Sequence, residues 1–206
     1  MECPVLQALN PGVSLPDLPV TIIHRSDGSG TTFNFTAFLS AWSAEWKEKI
    51  GSDTRVKWPA GIGADGSSRL IRAVQDTPGA LGYVEYGQVV RASLKYPLLQ
   101  NRDGAFVQPN LGSFQAASQS ASWDPAKDFE LSLIDTPGSK SWPIVAVTYV
   151  YLRESPVSAA RQRNVATLFD LAFTRGSEHA VALGYAPLPA DLIAKIKNYW
   201  TSSPTN

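Results

Sequence analysis

A chain of 206 residues with 44% apolar residues can bury a core as one large domain or two small lobes, and its composition excludes a disordered tail. Its 18 basic residues balance 18 acidic ones. That argues against a nucleic-acid binder, which carries a basic excess, but not against capture of a small anion by a few local donors.

A single cysteine, Cys3, excludes an internal disulfide, and two distant histidines, His24 and His179, leave no cysteine–histidine cluster for a metal. No stretch reaches the roughly twenty apolar residues of a membrane span. The first residues, Met1-Glu2-Cys3-Pro4-Val5-Leu6, read as no secretory signal.

Residues 1–19 carry Pro4, Pro11, Pro16 and Pro19, and read as a frayed helix end followed by an extended lead-in. Val20-Thr21-Ile22-Ile23-His24-Arg25 is β-branched and apolar and predicts a buried strand. After a Ser/Gly/Asp turn, Phe35, Phe38, Leu39, Trp42 and Trp46 recur at helical spacing and predict one helix over 31–50. Val56-Lys57-Trp58 is a short strand candidate ended by Pro59. Residues 61–68 form a second glycine-rich turn, leading into a helix from about 68 to 75. A strand over 80–86 and a short helix over 87–93 follow. Strands alternating with helices imply an α/β sheet with crossover connections.

Beyond residue 98 the pattern weakens: Asn101-Arg102-Asp103-Gly104 is a turn and Val107-Gln108-Pro109 is extended. A helix is expected over 111–122, a half-buried strand over 130–134 and a turn over 135–138. A long β-branched run covers 145–152. An amphipathic helix over 158–173 places Val165, Leu168, Phe169 and Ala172 on one face, and two further helices cover 177–183 and 189–200.

The chemistry concentrates in Arg25-Ser26-Asp27-Gly28-Ser29-Gly30-Thr31-Thr32. Gly28 and Gly30 let the backbone turn sharply and approach a ligand. Ser29, Thr31 and Thr32 supply hydroxyls and can cap the following helix, whose first N–H groups and positive dipole end form an anion site. Arg25 can grip two oxygens of a tetrahedral anion; Asp27 can anchor that guanidinium or accept a proton from a hydrogen phosphate. The plainer reading is a capped helix beside an Arg–Asp surface pair. No lysine precedes Thr31 as a P-loop requires, and the positions two residues either side of Ser29 are Asp27 and Thr31 rather than the glycines of a nucleophile elbow. His24 reads as a strand residue facing away from Arg25, and His179 as packing on its helix. No catalytic nucleophile or base stands out.

Several segments together resemble the phosphate-binding proteins of bacterial phosphate ABC transporters: Ala8-Leu9-Asn10-Pro11-Gly12, then 24–36 with its Arg25-to-Thr32 turn, then Thr77-Pro78-Gly79-Ala80-Leu81-Gly82-Tyr83-Val84-Glu85-Tyr86. Phe106-Val107-Gln108-Pro109, Trp142-Pro143-Ile144 and Tyr185-Ala186-Pro187-Leu188-Pro189 extend the likeness across the chain. The resemblance implies an α/β, periplasmic-binding-protein-like fold of the two-lobed Venus-flytrap type, with one complete and one incomplete lobe. Residues 1–19 would be the lead-in from the first lobe, 20–141 the complete lobe, and 142–206 the return segment of the incomplete one.

The implied function is capture of inorganic phosphate, in the periplasm, for an ABC permease, without catalysis, cofactor, metal or nucleic acid. The implied phosphate contacts are Arg25, Asp27, Ser29, Gly30 and Thr31. Relative to the family, the first part of the first lobe and its share of the contacts are absent. Residues 61–68 also depart from the usual Gly/Asn-rich version, with Arg69 where a small residue is common, and read as a helix start. An incomplete lobe would expose strand edges and apolar surface, so a homo-oligomer is expected. The alternative is a truncated homologue with weak or no phosphate binding that acts through interaction or regulation.

Overall fold

The computed structural model describes residues 4–151 and 158–202. Cys3 and the end of the β-branched run at Leu152 lie outside them. Contacts divide the chain into two compact units, Met1–Glu85 and Tyr86–Asn206. That cut differs from the lobe division that the resemblance implies, which assigns residues to the two lobes of a longer protein.

In the first unit, a short helix α1 (Pro4–Leu9) precedes β1 (Thr21–Arg25), α2 (Gly30–Trp42), α3 (Ala44–Lys49), β2 (Ile62–Ala64), α4 (Gly66–Asp76) and β3 (Ala80–Leu81). The three strands form a parallel sheet in the order β2-β1-β3. Register pairs Ile23 with Ile62 and Arg25 with Ala64 on one side, and Thr21 with Ala80 on the other. The core is Ile23, Ala64 and Leu70, with Ala73, Val74, Ala80 and Val84 against it. The chain crosses from β1 to β2 on one side and then to β3 on the other, so the strand order reverses at β1. In open α/β sheets such a switch point, at the carboxyl ends of the strands, is where ligands bind.

Three expectations are corrected here. The helix over 31–50 is broken at Ser43, whose extended backbone ends α2 while its side chain accepts from Trp46 N and starts α3. Val56-Lys57-Trp58 is not a strand, because Trp58 instead stacks on His24 with ring centroids 4.8 Å apart. The strand lies at Ile62–Ala64, inside the expected glycine turn. There Gly61 has φ +110°, and a Cβ on it would stand 2.5 Å from Ile22 O, so glycine is what lets β2 reach β1. The strand expected over 80–86 shortens to Ala80–Leu81.

In the second unit, α5 (Tyr86–Arg91) leads to a two-stranded hairpin of β4 (Leu99–Gln100) and β5 (Phe106–Val107), then α6 (Leu111–Gln119), capped by Asn110 and Ser113. The turn expected over 101–104 is this hairpin's turn, and the extended run expected from Val107 begins within β5. The turn is built on the buried Asn101, which donates to Gly138 O and Ser141 O and accepts from the N–H groups of Asp103 and Ala105. A 3-10 turn (Pro125–Lys127) precedes β6 (Leu133–Ile134), which pairs antiparallel with β7 (Ile144–Val145). The long run expected over 145–152 is therefore strand only at its start, and Val150 and Tyr151 are exposed.

Helices α7 (Ala159–Arg175), α8 (Ser177–Ala182) and α9 (Ala190–Ser202) follow. The apolar face expected on α7 is incompletely covered: Leu168 is 60% exposed. His179 on α8 is exposed rather than packed.

Candidate functional site

β1 delivers Arg25 to its carboxyl end, and the next five residues form the loop into α2. Ser29 is the N-cap of α2; its side chain accepts from Thr32 N, and its own N–H donates to Thr54 O. The hydroxyl hydrogen of this buried serine remains to donate. The N–H groups of Gly30 and Thr31, in the first turn, have no partner within the helix.

Arg25 and Asp27 form a two-pronged ion pair, Nε to Oδ1 at 2.6 Å and Nη2 to Oδ2 at 2.5 Å. Nη1 donates to Ser67 Oγ at 3.2 Å. Three of the five guanidinium N–H groups are thus engaged, leaving one on each terminal nitrogen for a pair of ligand oxygens. Asp27 Oδ1 also accepts from Gly66 N at 3.0 Å, so this carboxylate ties the first turn of α4 to the loop before α2. The Arg25 hydrogen bonds, and then the Gly66 N–H, hold the Asp27 carboxyl well below the ordinary carboxylate range. The guanidinium is raised in return, chiefly by its hydrogen bond to Asp27, with burial opposing.

Tyr83 supports the cradle from behind. Its hydroxyl accepts from Arg25 N at 3.1 Å and shares a 2.7 Å hydrogen bond with Thr32 Oγ1. The Tyr83 ring stacks on Phe35 and Trp58, and Trp58 also meets His24 and Trp46. His24 is therefore part of an aromatic layer. Thr31 Oγ1 donates to Glu85 Oε1 at 2.8 Å, so its hydrogen is not directed into the cradle.

Gly28 and Gly30 have unremarkable φ values, and a Cβ on either would meet nothing within 4 Å. The expected sharp turn is not what requires glycine there; the space in front of them is open. The five expected contacts, Arg25, Asp27, Ser29, Gly30 and Thr31, lie together in this one loop and helix start. Sequence reasoning placed Thr32 in the turn as a hydroxyl donor but missed Gly66, Ser67, Tyr83 and Glu85. Gly66 and Ser67 sat in the second glycine turn, which read as a helix start, while nothing in the local pattern marks Tyr83 or Glu85. Among the described residues no group of acidic, histidine or cysteine side chains could hold a metal, and no helix is long and apolar enough to cross a membrane.

Two helix N-termini, a pinned cation and open glycines at the switch point of a parallel sheet make an anion cradle. The PBP superfamily domain matches residues 8–169. The chain belongs to the PBP superfamily. It is 43% identical over 193 residues to the phosphate-binding protein PstS of Xylella fastidiosa, a match covering 94% of this chain and 53% of that protein. It is 41% identical over 197 residues to PstS of Haemophilus influenzae, covering 96% of this chain and 59% of that one. The chain therefore spans little more than half the length of these curated relatives.

A high-affinity periplasmic phosphate-binding protein solved with phosphate superposes with a TM-score of 0.65 at 19% identity, over 87% of this chain and 57% of that one. A DING protein structure gives the same TM-score. At that identity the likeness establishes fold, and the α/β, periplasmic-binding-protein-like architecture expected from the sequence is the one this PBP chain has.

Proposed function

We propose that this chain binds inorganic phosphate at the Arg25–Thr31 cradle, as the substrate-binding component of an ABC phosphate-import system. The observation that carries the reading is the pinned guanidinium: Asp27 and Ser67 hold Arg25 with one N–H left on each terminal nitrogen, at the start of the loop where Gly28 and Gly30 leave open space. Ser29 donates its hydroxyl, and Gly30 and Thr31 their backbone N–H groups. Asp27 orients the cation. With Oδ1 taking two donors and Oδ2 one, Asp27 keeps an acceptor position for a protonated phosphate.

The likeness to the phosphate-binding proteins PstS supports the ligand. On this reading the protein works in the periplasm, delivers phosphate to a membrane permease and performs no catalysis. Residues 20–141 form one complete lobe, with 1–19 and 142–206 belonging to the other, incomplete one, which holds none of the contacts assigned here.

Titration calorimetry with phosphate, sulfate and arsenate tests this on the wild-type chain and Arg25→Ala. Losing two charge-assisted hydrogen bonds of about 1.5–3 kcal/mol each weakens phosphate by about a hundredfold or more. Absence of phosphate heat in the wild-type chain, or equal affinity in Arg25→Ala, overturns the reading.

A second reading rests on exposed apolar side chains along the lead-in, Val5, Leu9, Val13 and Val20 among them, and on α7. Surface of that kind favours association between copies through the incomplete lobe. Sedimentation as a monomer at micromolar concentration overturns it.

A further inference from the structure

The ladder between β1 and β3 stops short of Arg25. Alternate residues of β1 turn their N–H groups to opposite sides: Thr21 N donates to Gly79 O at 3.0 Å on the β3 side, while Ser26 N donates to Ala64 O on the β2 side. Pairing with β3 ends at Ile22 and Leu81, so the Arg25 N–H meets no strand carbonyl. The Tyr83 hydroxyl takes that place and accepts from Arg25 N at 3.1 Å. The same oxygen lies 2.7 Å from Oγ1 of the buried Thr32, whose own N–H donates to the capping Ser29 Oγ. One phenol oxygen therefore joins the root of the guanidinium to the first turn of α2. The ring is held independently of its hydroxyl, by stacking on Phe35 and Trp58 with centroids 4.6 and 5.8 Å away.

We propose that Tyr83 is a positioning residue for anion capture: its hydroxyl fixes the spacing between Arg25 and the first turn of α2, so that the guanidinium and the Gly30 and Thr31 N–H groups converge on one anion. Donors held in place before binding spare the complex the cost of ordering them. The inference rests on the phosphate reading above and adds a residue that acts without touching the anion.

Calorimetry and amide NMR of the full chain with inorganic phosphate compare wild type with Tyr83→Phe, which keeps the stacked ring and removes the hydroxyl. Affinity is expected to fall roughly tenfold, the equivalent of one hydrogen bond. The shifts that saturating phosphate induces at the Gly30 and Thr31 amides are expected to shrink, because the anion no longer engages helix and guanidinium together. Thr32→Val removes the other end of the link and gives a smaller loss of the same kind, whereas Thr32→Ser keeps the wild-type affinity. In the Tyr83→Phe background Thr32→Val has no further effect. Asn101→Ala, destabilised in the second unit, is the control for stability alone and keeps both affinity and saturated shifts.

An affinity unmoved by Tyr83→Phe, or a reduced affinity with saturated shifts of wild-type size, overturns the assignment. An equal loss in Asn101→Ala overturns it too, since lowered stability would then suffice. Phosphate binding abolished by Arg25→Ala alongside an unmoved Tyr83→Phe affinity overturns this inference alone, and a wild-type chain that binds no phosphate overturns both. Thermal melts establish that each variant is folded. Where Tyr83→Phe is not, Thr32→Val against Thr32→Ser carries the test, and equal affinities in that pair overturn the assignment.

Discussion

Gly30→Ala separates a glycine kept for folding from one kept for a ligand. Gly30 opens α2 without a positive φ, and a Cβ there would meet no atom of the chain within 4 Å. In the free protein the substitution should therefore stabilise, because alanine loses less conformational freedom on folding; the gain is about 0.4–1 kcal/mol. For a chain of this size that corresponds to a melting-temperature rise of about 1–4 °C. Phosphate binding should move the other way. A methyl group in the opening pushes the anion off the Gly30 and Thr31 N–H groups, and losing one hydrogen bond to a charged group costs about 1.5–3 kcal/mol, roughly 10–150-fold in affinity. Calorimetry and thermal unfolding on the same preparation read both quantities. A stabilised variant with undiminished phosphate affinity would refute the claim that the opening is ligand space, and a destabilised one would refute the claim that it is open.

Three further outcomes follow from the packing and the ion pair. Gly82→Ala places a Cβ 2.8 Å from Leu70 Cδ2 and 2.9 Å from Val74 Cγ2, and should cost about 1–3 kcal/mol in urea unfolding by pushing α4 off the sheet. Asn101→Ala strands the four backbone groups that the buried side chain satisfies and should cost at least about 3 kcal/mol by the same assay. Asp27→Asn should change how stability depends on pH. The Asp27 carboxyl is depressed in the folded state, so its contribution is complete above the ordinary carboxylate range and is lost as pH falls through the folded value. The stability gap between wild type and Asp27→Asn should stay constant at mildly acidic and neutral pH and shrink only in strong acid. A gap that closes near neutrality contradicts the assignment.

The parts of the fold legible in the sequence are those whose signal lies in side chains. Thr21–Arg25 announces a buried strand by its β-branched run, and Ser29 announces the start of α2 as a cap. β2 was hidden because its presence depends on backbone approach: Gly61 permits contact with Ile22 O, and a strand flanked by glycines carries little side-chain pattern. The break at Ser43 was hidden for a different reason. Apolar spacing continues through Trp42 and Trp46 while one serine ends a helix and starts the next.

The cradle divides along the same line. Arg25 and Asp27 are two residues apart and readable together, but Ser67 reaches Arg25 only because parallel pairing sets Ala64 beside it. Glu85 reaches Thr31 from the far side of the sheet order, and no local pattern signals it.

On the proposed reading phosphate sits on the first turn of α2 beside Arg25. Backbone amide chemical shifts followed by NMR during a phosphate titration test this placement. Saturable shifts of the Gly30, Thr31 and Ser67 amides are expected, absent in Arg25→Ala. Shifts centred elsewhere in the chain, or none at millimolar phosphate, would contradict it.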